Sequence, residues 1–242
     1  MARHLLWLDN VCSEDVGVVV GEFNLSAPVP RVETIKVPGR NGDLHIYDGS
    51  YENRSGSCSA YVYANGEVKA AFAKIQHWLL GANGYRRLVT DDDQEHFIKA
   101  RLVNGADVAA RIDKIAPFAL KFDCMPFRYL ASGEMPIEAK DAATVKNPTF
   151  YDSAPLYEIT GDGTVTITVN NDSLTVTGLG EYIYPRTIYF DAETGNAYTV
   201  DEPSANNRVT SVGNLYLTSG DNAITISGTV ESFKIVPRWC EL

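Results

Sequence analysis

The chain has 242 residues, of which 45% are hydrophobic, so it is long enough to bury one large core or two smaller ones. Its formal net charge of −10 at pH 7 repels phosphate backbones and anionic lipid, which argues against binding to nucleic acid or to a membrane surface. No apolar run approaches the roughly 18 residues of a membrane span, so no membrane partner is expected.

The N-terminal residues do not predict a targeting segment. Residues 1–8 have apolar character, but Asp9 and Asn10 end the run before it reaches the length of a signal-peptide core. The four cysteines are scattered, with no Cys-x-x-Cys pair, and a chain of this size does not need disulfides for stability. We therefore expect free, mostly buried thiols in a protein that folds in a reducing cytoplasm.

A Pro-Gly-Arg-Asn-Gly segment at residues 38–42 separates two short alternations of apolar and polar residues. Proline fixes its own φ and has no N–H, while glycine and the Asn-Gly pair permit positive φ. This arrangement predicts a projecting β-hairpin with a defined tip. Arg40 lies at that tip. Its planar guanidinium suits pairing with a carboxylate across an interface, and a solvated turn arginine is an equally good interpretation.

Further along the chain, period-two alternation predicts strands and one segment has helical spacing. The alternating segments are residues 33–37, 96–102 and 117–124. Residues 67–80 carry apolar side chains at the 3.6-residue spacing of an amphipathic helix, with Asn65 and Gly81 as its caps. We expect this helix to pack on the sheet, with Trp78 in the core.

A change of composition after Tyr129 predicts a second domain. Residues 131–148 are small and acidic and end in Asn147-Pro148, which is typical of a linker. Short alternating runs separated by turns follow at 164–169, 174–176, 187–190, 214–217, 223–227 and 232–236. They predict an antiparallel β-sandwich. The expected fold is mainly β, with an N-terminal sheet domain and one packed helix at 1–130, and a sandwich at 149–242.

No residue pattern in the chain predicts an active site. The acidic run at residues 91–93 could line a channel or bind a cation, but such runs are more often solvated loops. The four histidines lack metal-ligand spacing, and no serine nucleophile elbow, phosphate-binding loop or dinucleotide fingerprint occurs. We expect no catalytic residue, no cofactor, no metal ligand and no enzymatic activity.

Several segments occur in the order found in one protein family. They are Val37-Pro38-Gly39-Arg40-Asn41-Gly42-Asp43-Leu44, His77-Trp78-Leu79-Leu80, Phe122-Asp123-Cys124-Met125-Pro126-Phe127-Arg128-Tyr129, Gly161-Asp162-Gly163 and Pro237-Arg238-Trp239. Together they resemble the distal tail proteins (the Dit family) of siphophages, especially those that infect Gram-positive bacteria. The resemblance covers almost the whole chain.

The resemblance implies a structural role in a virion. Proteins of this family form a ring, usually hexameric, at the tip of a long non-contractile tail. The ring lies between the tail-tube protein and the hub or tail-associated protein, and DNA passes through it. The C-terminal domain would be a galectin-like sandwich that helps to hold a receptor-binding protein or binds host-surface glycan in some phages. The expected protein is made in the bacterial cytoplasm and resides in the tail tip.

Two groups of residues are candidates for contacts with partners. The predicted hairpin tip is our candidate subunit interface, through Gly39, Arg40, Asn41 and Gly42. Acidic side chains on the inner wall of a ring would repel DNA over the roughly 8–10 Å of electrostatic screening, and so let it pass without specific binding. The alternative function is a carbohydrate-binding module in which Tyr182 and Tyr184 stack on sugar rings.

Overall fold

The computed structural model describes residues 4–62, 68–105, 117–140, 142–181 and 185–242. These residues are mainly β with antiparallel sheets, which confirms the predicted fold class. The chain divides into two compact units, Met1–Arg128 with Leu242 and Tyr129–Glu241. Within the described ranges, no helix has the length and apolar character that crossing a bilayer requires.

The first unit is built on one large antiparallel sheet. Its elements are β1 (Leu6–Leu8), β2 (Val11–Cys12), β3 (Val18–Val20), β4 (Asn24–Leu25), β5 (Pro30–Ile35), β6 (Leu44–Tyr51), β7 (Arg54–Val62), α1 (Val68–Leu80), β8 (Arg86–Thr90), β9 (Asp93–Leu102) and β10 (Phe118–Leu130). The main sheet has the strand order β2-β1-β8-β9-β10-β7-β3, and β4 pairs with β7. β5 and β6 form a separate two-stranded sheet, as the predicted hairpin requires.

The core of the first unit confirms the alternation predicted at residues 117–124. Phe118, Leu120, Phe122 and Cys124 of β10 are all buried. β10 pairs with β7 so that Leu120 lies opposite Cys58. Because both thiols are removed from water, burial raises the pKa of Cys58 and Cys124 to about 12. Both cysteines are free, as expected.

The predicted amphipathic helix is α1, which packs on this sheet. It ends at Leu80, the residue predicted to end it, and Ile75, Trp78 and Leu79 are buried against the sheet. The indole N–H of Trp78 donates a hydrogen bond to the carbonyl of Val11 at 3.2 Å, so this core residue has no unsatisfied donor. The predicted cap at Asn65 lies outside the described residues.

The second unit contains a second antiparallel sheet. The elements of this unit are η1 (Ala131–Glu134), β11 (Ile137–Glu138), β12 (Ala142–Asn147), β13 (Leu156–Val169), β14 (Asp172–Leu179), β15 (Thr187–Asp191), β16 (Asn196–Tyr198), η2 (Asn206–Arg208), β17 (Val209–Val212), β18 (Gly220–Val236) and β19 (Cys240–Glu241). All of its strands except β19 belong to this sheet. The central strand order is β11-β18-β13-β14-β17, with β12 on β18 and β15 between β13 and β16. The segment assigned above to a linker, 131–148, therefore contains two strands of this sheet.

The second sheet bends around a core of its own. The first half of β13 pairs with β15 and the second half pairs with β14, while the register against β18 shifts between Thr160 and Thr166. Such irregularities bend strands locally. Side chains from both halves, among them Tyr157 and Ile167, meet in one cluster, where the ring of Tyr157 stacks on Phe233 at 5.9 Å.

Two strand predictions in the second unit need correction. Residues 214–217 were predicted as a strand, but the Asp172 carboxylate accepts hydrogen bonds from the backbone N–H groups of Asn214 at 2.9 Å and Leu215 at 3.0 Å. Those donors are therefore not available for a ladder, and Leu215 has a φ of +54°. The two strands predicted at 223–227 and 232–236 are one continuous strand, β18.

Candidate subunit interface

The hairpin of β5 and β6, residues 30–51, is called the arm below. Its tip has the turn geometry that the sequence predicts. The N–H of Arg40 donates to the carbonyl of Val37 at 3.2 Å, and Gly39 and Gly42 have φ values of +78° and +81°. Side-chain-bearing residues rarely adopt such φ values, so the two glycines are required by the turn.

The shaft of the arm carries apolar side chains on both of its faces. Val32 lies opposite Tyr47 on one face, and Ile35 lies opposite Leu44 on the other face, which Ile46 shares. Tyr47 is 65% exposed and Ile46 is 45% exposed. A sheet with one solvated face normally places polar residues on that face. Apolar side chains are therefore exposed on both faces of this hairpin, which makes the arm a candidate for an interaction surface.

A bulge shapes the arm near its base. β6 carries Asp48, Gly49 and Ser50 where β5 has Arg31. The N–H and the hydroxyl of Ser50 both donate to Oδ1 of Asp48, at 2.8 and 2.7 Å. These hydrogen bonds to the ionised form lower the pKa of the Asp48 carboxyl. The bulge bends β6 locally, and both donors of Ser50 are satisfied within it.

The base of the arm is tied to the main sheet of the first unit. The N–H of Ser26 donates to the carbonyl of Ser55 at 2.9 Å, and the N–H of Ser55 donates back to the Ser26 hydroxyl at 2.9 Å. Arg54 donates from Nε to the carbonyl of Ser26 at 2.6 Å. The rings of Tyr51 and Phe127 meet edge to face at 5.9 Å. The base of the arm is therefore held against the main sheet, while its shaft stays exposed to solvent.

The four interface candidates Gly39, Arg40, Asn41 and Gly42 lie together at the exposed tip. Within the described residues, the guanidinium of Arg40 makes no hydrogen bond or ion pair. It is therefore available to a carboxylate on another molecule. Tyr182 and Tyr184, the candidate glycan contacts, lie outside the described residues.

The acidic run at residues 91–93 is more ordered than the solvated loop that such runs usually form. Asp91 and Asp92 make the turn between β8 and β9, and Thr90 pairs with Asp93. The Asp93 carboxylate accepts hydrogen bonds from His96 Nδ1 at 2.8 Å and from Arg128 Nη1 at 3.0 Å. Burial opposes ionisation, but these two partners hold the pKa of Asp93 below its usual value.

Sequence reasoning identified the tip of the arm but missed its shaft. The exposed large apolar residues of the arm are Val32, Val37, Leu44, Ile46 and Tyr47. The sequence does carry a pattern from which these exposed residues could be predicted. The valines and isoleucines of β5 and β6 lie on both faces of the two-stranded ladder, so one packed face cannot bury all of them. Recognising it requires the register, which a sequence alone does not supply.

Comparisons with known proteins support the fold alone. No family model and no curated protein matches the chain. Among solved structures, the chain is similar to the Dit protein (gp 19.1) of SPP1, described as a paradigm of the hub adsorption apparatus in phages that infect Gram-positive bacteria. The TM-score is 0.63 at 11% sequence identity, and the match covers 96% of this chain and 97% of that chain.

Proposed function

We propose that this chain is a structural subunit of a phage tail tip, which assembles with copies of itself into a ring. Two lines of support converge on this function. The sequence segments resemble the distal tail family, and the fold is similar to SPP1 Dit over almost the full length of both chains. Both lines point to assembly, and neither points to turnover of a substrate.

The observation that carries the proposal is the uncovered apolar arm of the first unit. An isolated two-stranded hairpin is at best marginally stable in water, and this one exposes both faces. A closed ring is made by heterologous contacts, in which one patch of each subunit docks on a different patch of the next. The arm supplies the first patch of such a contact.

The distribution of formal charge along the chain supports a second copy of the chain as the partner of the arm. Arg31, Lys36 and Arg40 balance Glu33, Asp43 and Asp48, so the arm is formally neutral while the whole chain carries −10. All of the excess negative charge therefore lies outside the arm. An apolar, neutral arm with an arginine at its tip can approach another copy without the repulsion that two acidic surfaces would experience.

In the full proposal the ring is a hexamer between the tail-tube protein and the hub. The first unit forms the ring, and DNA passes through its channel without specific binding because acidic side chains repel it. The protein is made in the bacterial cytoplasm and becomes part of the virion. The second unit, as a galectin-like sandwich, faces outward toward receptor-binding components.

Replacement of the arm tests this function. Residues 31–50 are exchanged for a short Gly-Ser turn that joins Pro30 to Tyr51, which are cross-strand partners. We expect the wild-type chain to form rings by light scattering and negative-stain imaging, alone or with the tail-tube and hub proteins. The arm-replaced chain should stay monomeric while keeping its circular dichroism spectrum.

A matched control changes an exposed segment of the second unit. Residues 200–204, which include the exposed Val200, are replaced by Gly-Ser in the same way. Rings should form in this variant as in the wild type. A wild-type chain that stays monomeric at high concentration with both partners present would refute the proposal, as would full ring assembly without the arm.

A further inference from the structure

Three side chains from two distant parts of the sequence meet at one end of the first sheet. The turn between β8 and β9 presents Asp91 and Asp92, and His4 precedes β1, which pairs with β8. Backbone hydrogen bonds hold both segments in place. The N–H of Asp91 donates to the carbonyl of Leu5 at 3.1 Å, and the N–H of His4 donates to the carbonyl of Val20 at 3.2 Å.

The polar atoms of this group face one another without hydrogen bonding. Nδ1 of His4 lies 3.4 Å from Oδ1 of Asp91 and 3.5 Å from Oδ2 of Asp92. Charge-assisted N–H···O⁻ hydrogen bonds are shorter, about 2.7–2.9 Å. Nδ1 of His4 and Oδ1 of Asp91 are shielded from solvent, and neither has a hydrogen-bond partner in the described part of the chain.

The neighbouring carboxylate of Asp93, in contrast, has close hydrogen-bond partners. Asp93 has a histidine at 2.8 Å and an arginine at 3.0 Å. Among the described residues, Asp91 and Asp92 have only His4 as a cationic partner, at the longer distances of 3.4 and 3.5 Å, and the three donor atoms all lie within 4.8 Å of one another. Two carboxylates at this distance repel each other, and a buried acceptor without a donor is costly.

We propose that His4, Asp91 and Asp92 bind a divalent first-row transition metal, with zinc as the best fit. A tetrahedral zinc site has metal–ligand distances of about 2.0–2.2 Å, which places neighbouring donor atoms about 3.3–3.6 Å apart. The distances of 3.4 and 3.5 Å from Nδ1 of His4 to the two carboxylates match this spacing. A cation at their centre satisfies both shielded atoms and cancels the repulsion.

The donor set selects the class of metal. An imidazole nitrogen with two carboxylates suits zinc, manganese or a similar ion, whereas calcium and magnesium prefer oxygen ligands throughout. Asp92 is the more exposed of the two carboxylates, with 58% of its side chain accessible, so the site is open to solvent on that side. A bound ion would crosslink the start of β1 to the turn between β8 and β9.

Titration of metal-stripped protein with zinc chloride tests the site. Isothermal calorimetry of the full chain should show one high-affinity zinc ion per chain, and calcium and magnesium should not compete. Cobalt bound in place of zinc should give the strong visible absorption of a tetrahedral complex. Zinc should also raise the melting temperature, because it binds only the folded arrangement of residues 4, 91 and 92.

Variants distinguish this site from adventitious zinc on histidine. His4→Gln and Asp92→Asn should each weaken zinc binding by about tenfold or more. His45→Gln serves as the control, because His45 is an exposed arm residue that hydrogen-bonds Thr34 at 3.2 Å, and it should bind zinc as the wild type does. A wild-type chain that binds no zinc, or site variants that bind it equally well, would overturn the assignment.

Discussion

The substitution Ile46→Asp probes whether the shaft of the arm is an interface. Ile46 is 45% exposed in the isolated chain, so docking on a neighbour can still bury roughly half of its surface. Full burial of an isoleucine is worth about 1.5–3 kcal/mol, so the lost contact costs about 0.7–1.4 kcal/mol at each interface. An unpaired carboxylate in the same place adds about 1–3 kcal/mol. Together these terms amount to about 1.7–4.4 kcal/mol, which weakens association roughly fifteenfold to a thousandfold or more.

Sedimentation velocity over a concentration series measures this effect. The midpoint of assembly should move to higher protein concentration by that factor, while the melting temperature of the monomer changes little. Val212→Asp is the matched control, because Val212 is an exposed residue of β17 in the second unit. The reasoning fails if Ile46→Asp assembles at the wild-type concentration, or if Val212→Asp weakens assembly to the same extent.

Two further predictions concern stability and thiol chemistry. Asp172→Ala removes the acceptor of two backbone hydrogen bonds at 2.9 and 3.0 Å and should lower the free energy of unfolding by about 2–4 kcal/mol in urea titrations. At about pH 8, iodoacetamide should label the half-buried Cys12 in the folded protein. Cys58 and Cys124 should be labelled only after unfolding, because burial raises the pKa of each thiol to about 12 and leaves almost no thiolate.

Controls for these two predictions lie in the same chain. Asp201 is an exposed carboxylate, and Asp201→Ala should leave the urea midpoint nearly unchanged. Equal destabilisation by both substitutions would mean that the Asp172 hydrogen bonds contribute nothing specific. Peptide mass spectrometry locates the labelled thiols, and rapid labelling of Cys124 in native protein would contradict its buried position in β10.

Elements whose pattern is local were predictable from the sequence. The buried face of β10 and the end of α1 follow from periodicities of two and 3.6 residues, which depend on neighbouring residues alone. The tip of the arm was predictable for the same reason, because proline, glycine and Asn-Gly restrict φ at their own positions. The confirmed features of the fold are of this kind.

Features that depend on distant residues were not predictable. Residues 214–215 have the pattern of a strand, but the Asp172 side chain, more than forty positions earlier, takes their N–H groups. The grouping of His4 with Asp91 and Asp92 follows from the pairing of β1 with β8 and has no spacing motif in the sequence. A spacing motif in the sequence reveals metal ligands only when the ligands lie on the same helix, strand or turn.

The sequence by itself determined where the chain turns and which residues share a face of each strand or helix, because those properties follow from backbone geometry and side-chain periodicity. Only the tertiary structure decided which of those faces are covered. Burial is a property of what packs opposite, so strands that carry apolar residues form the core in β10 but an exposed arm in β5 and β6. The proposed assembly rests on that difference.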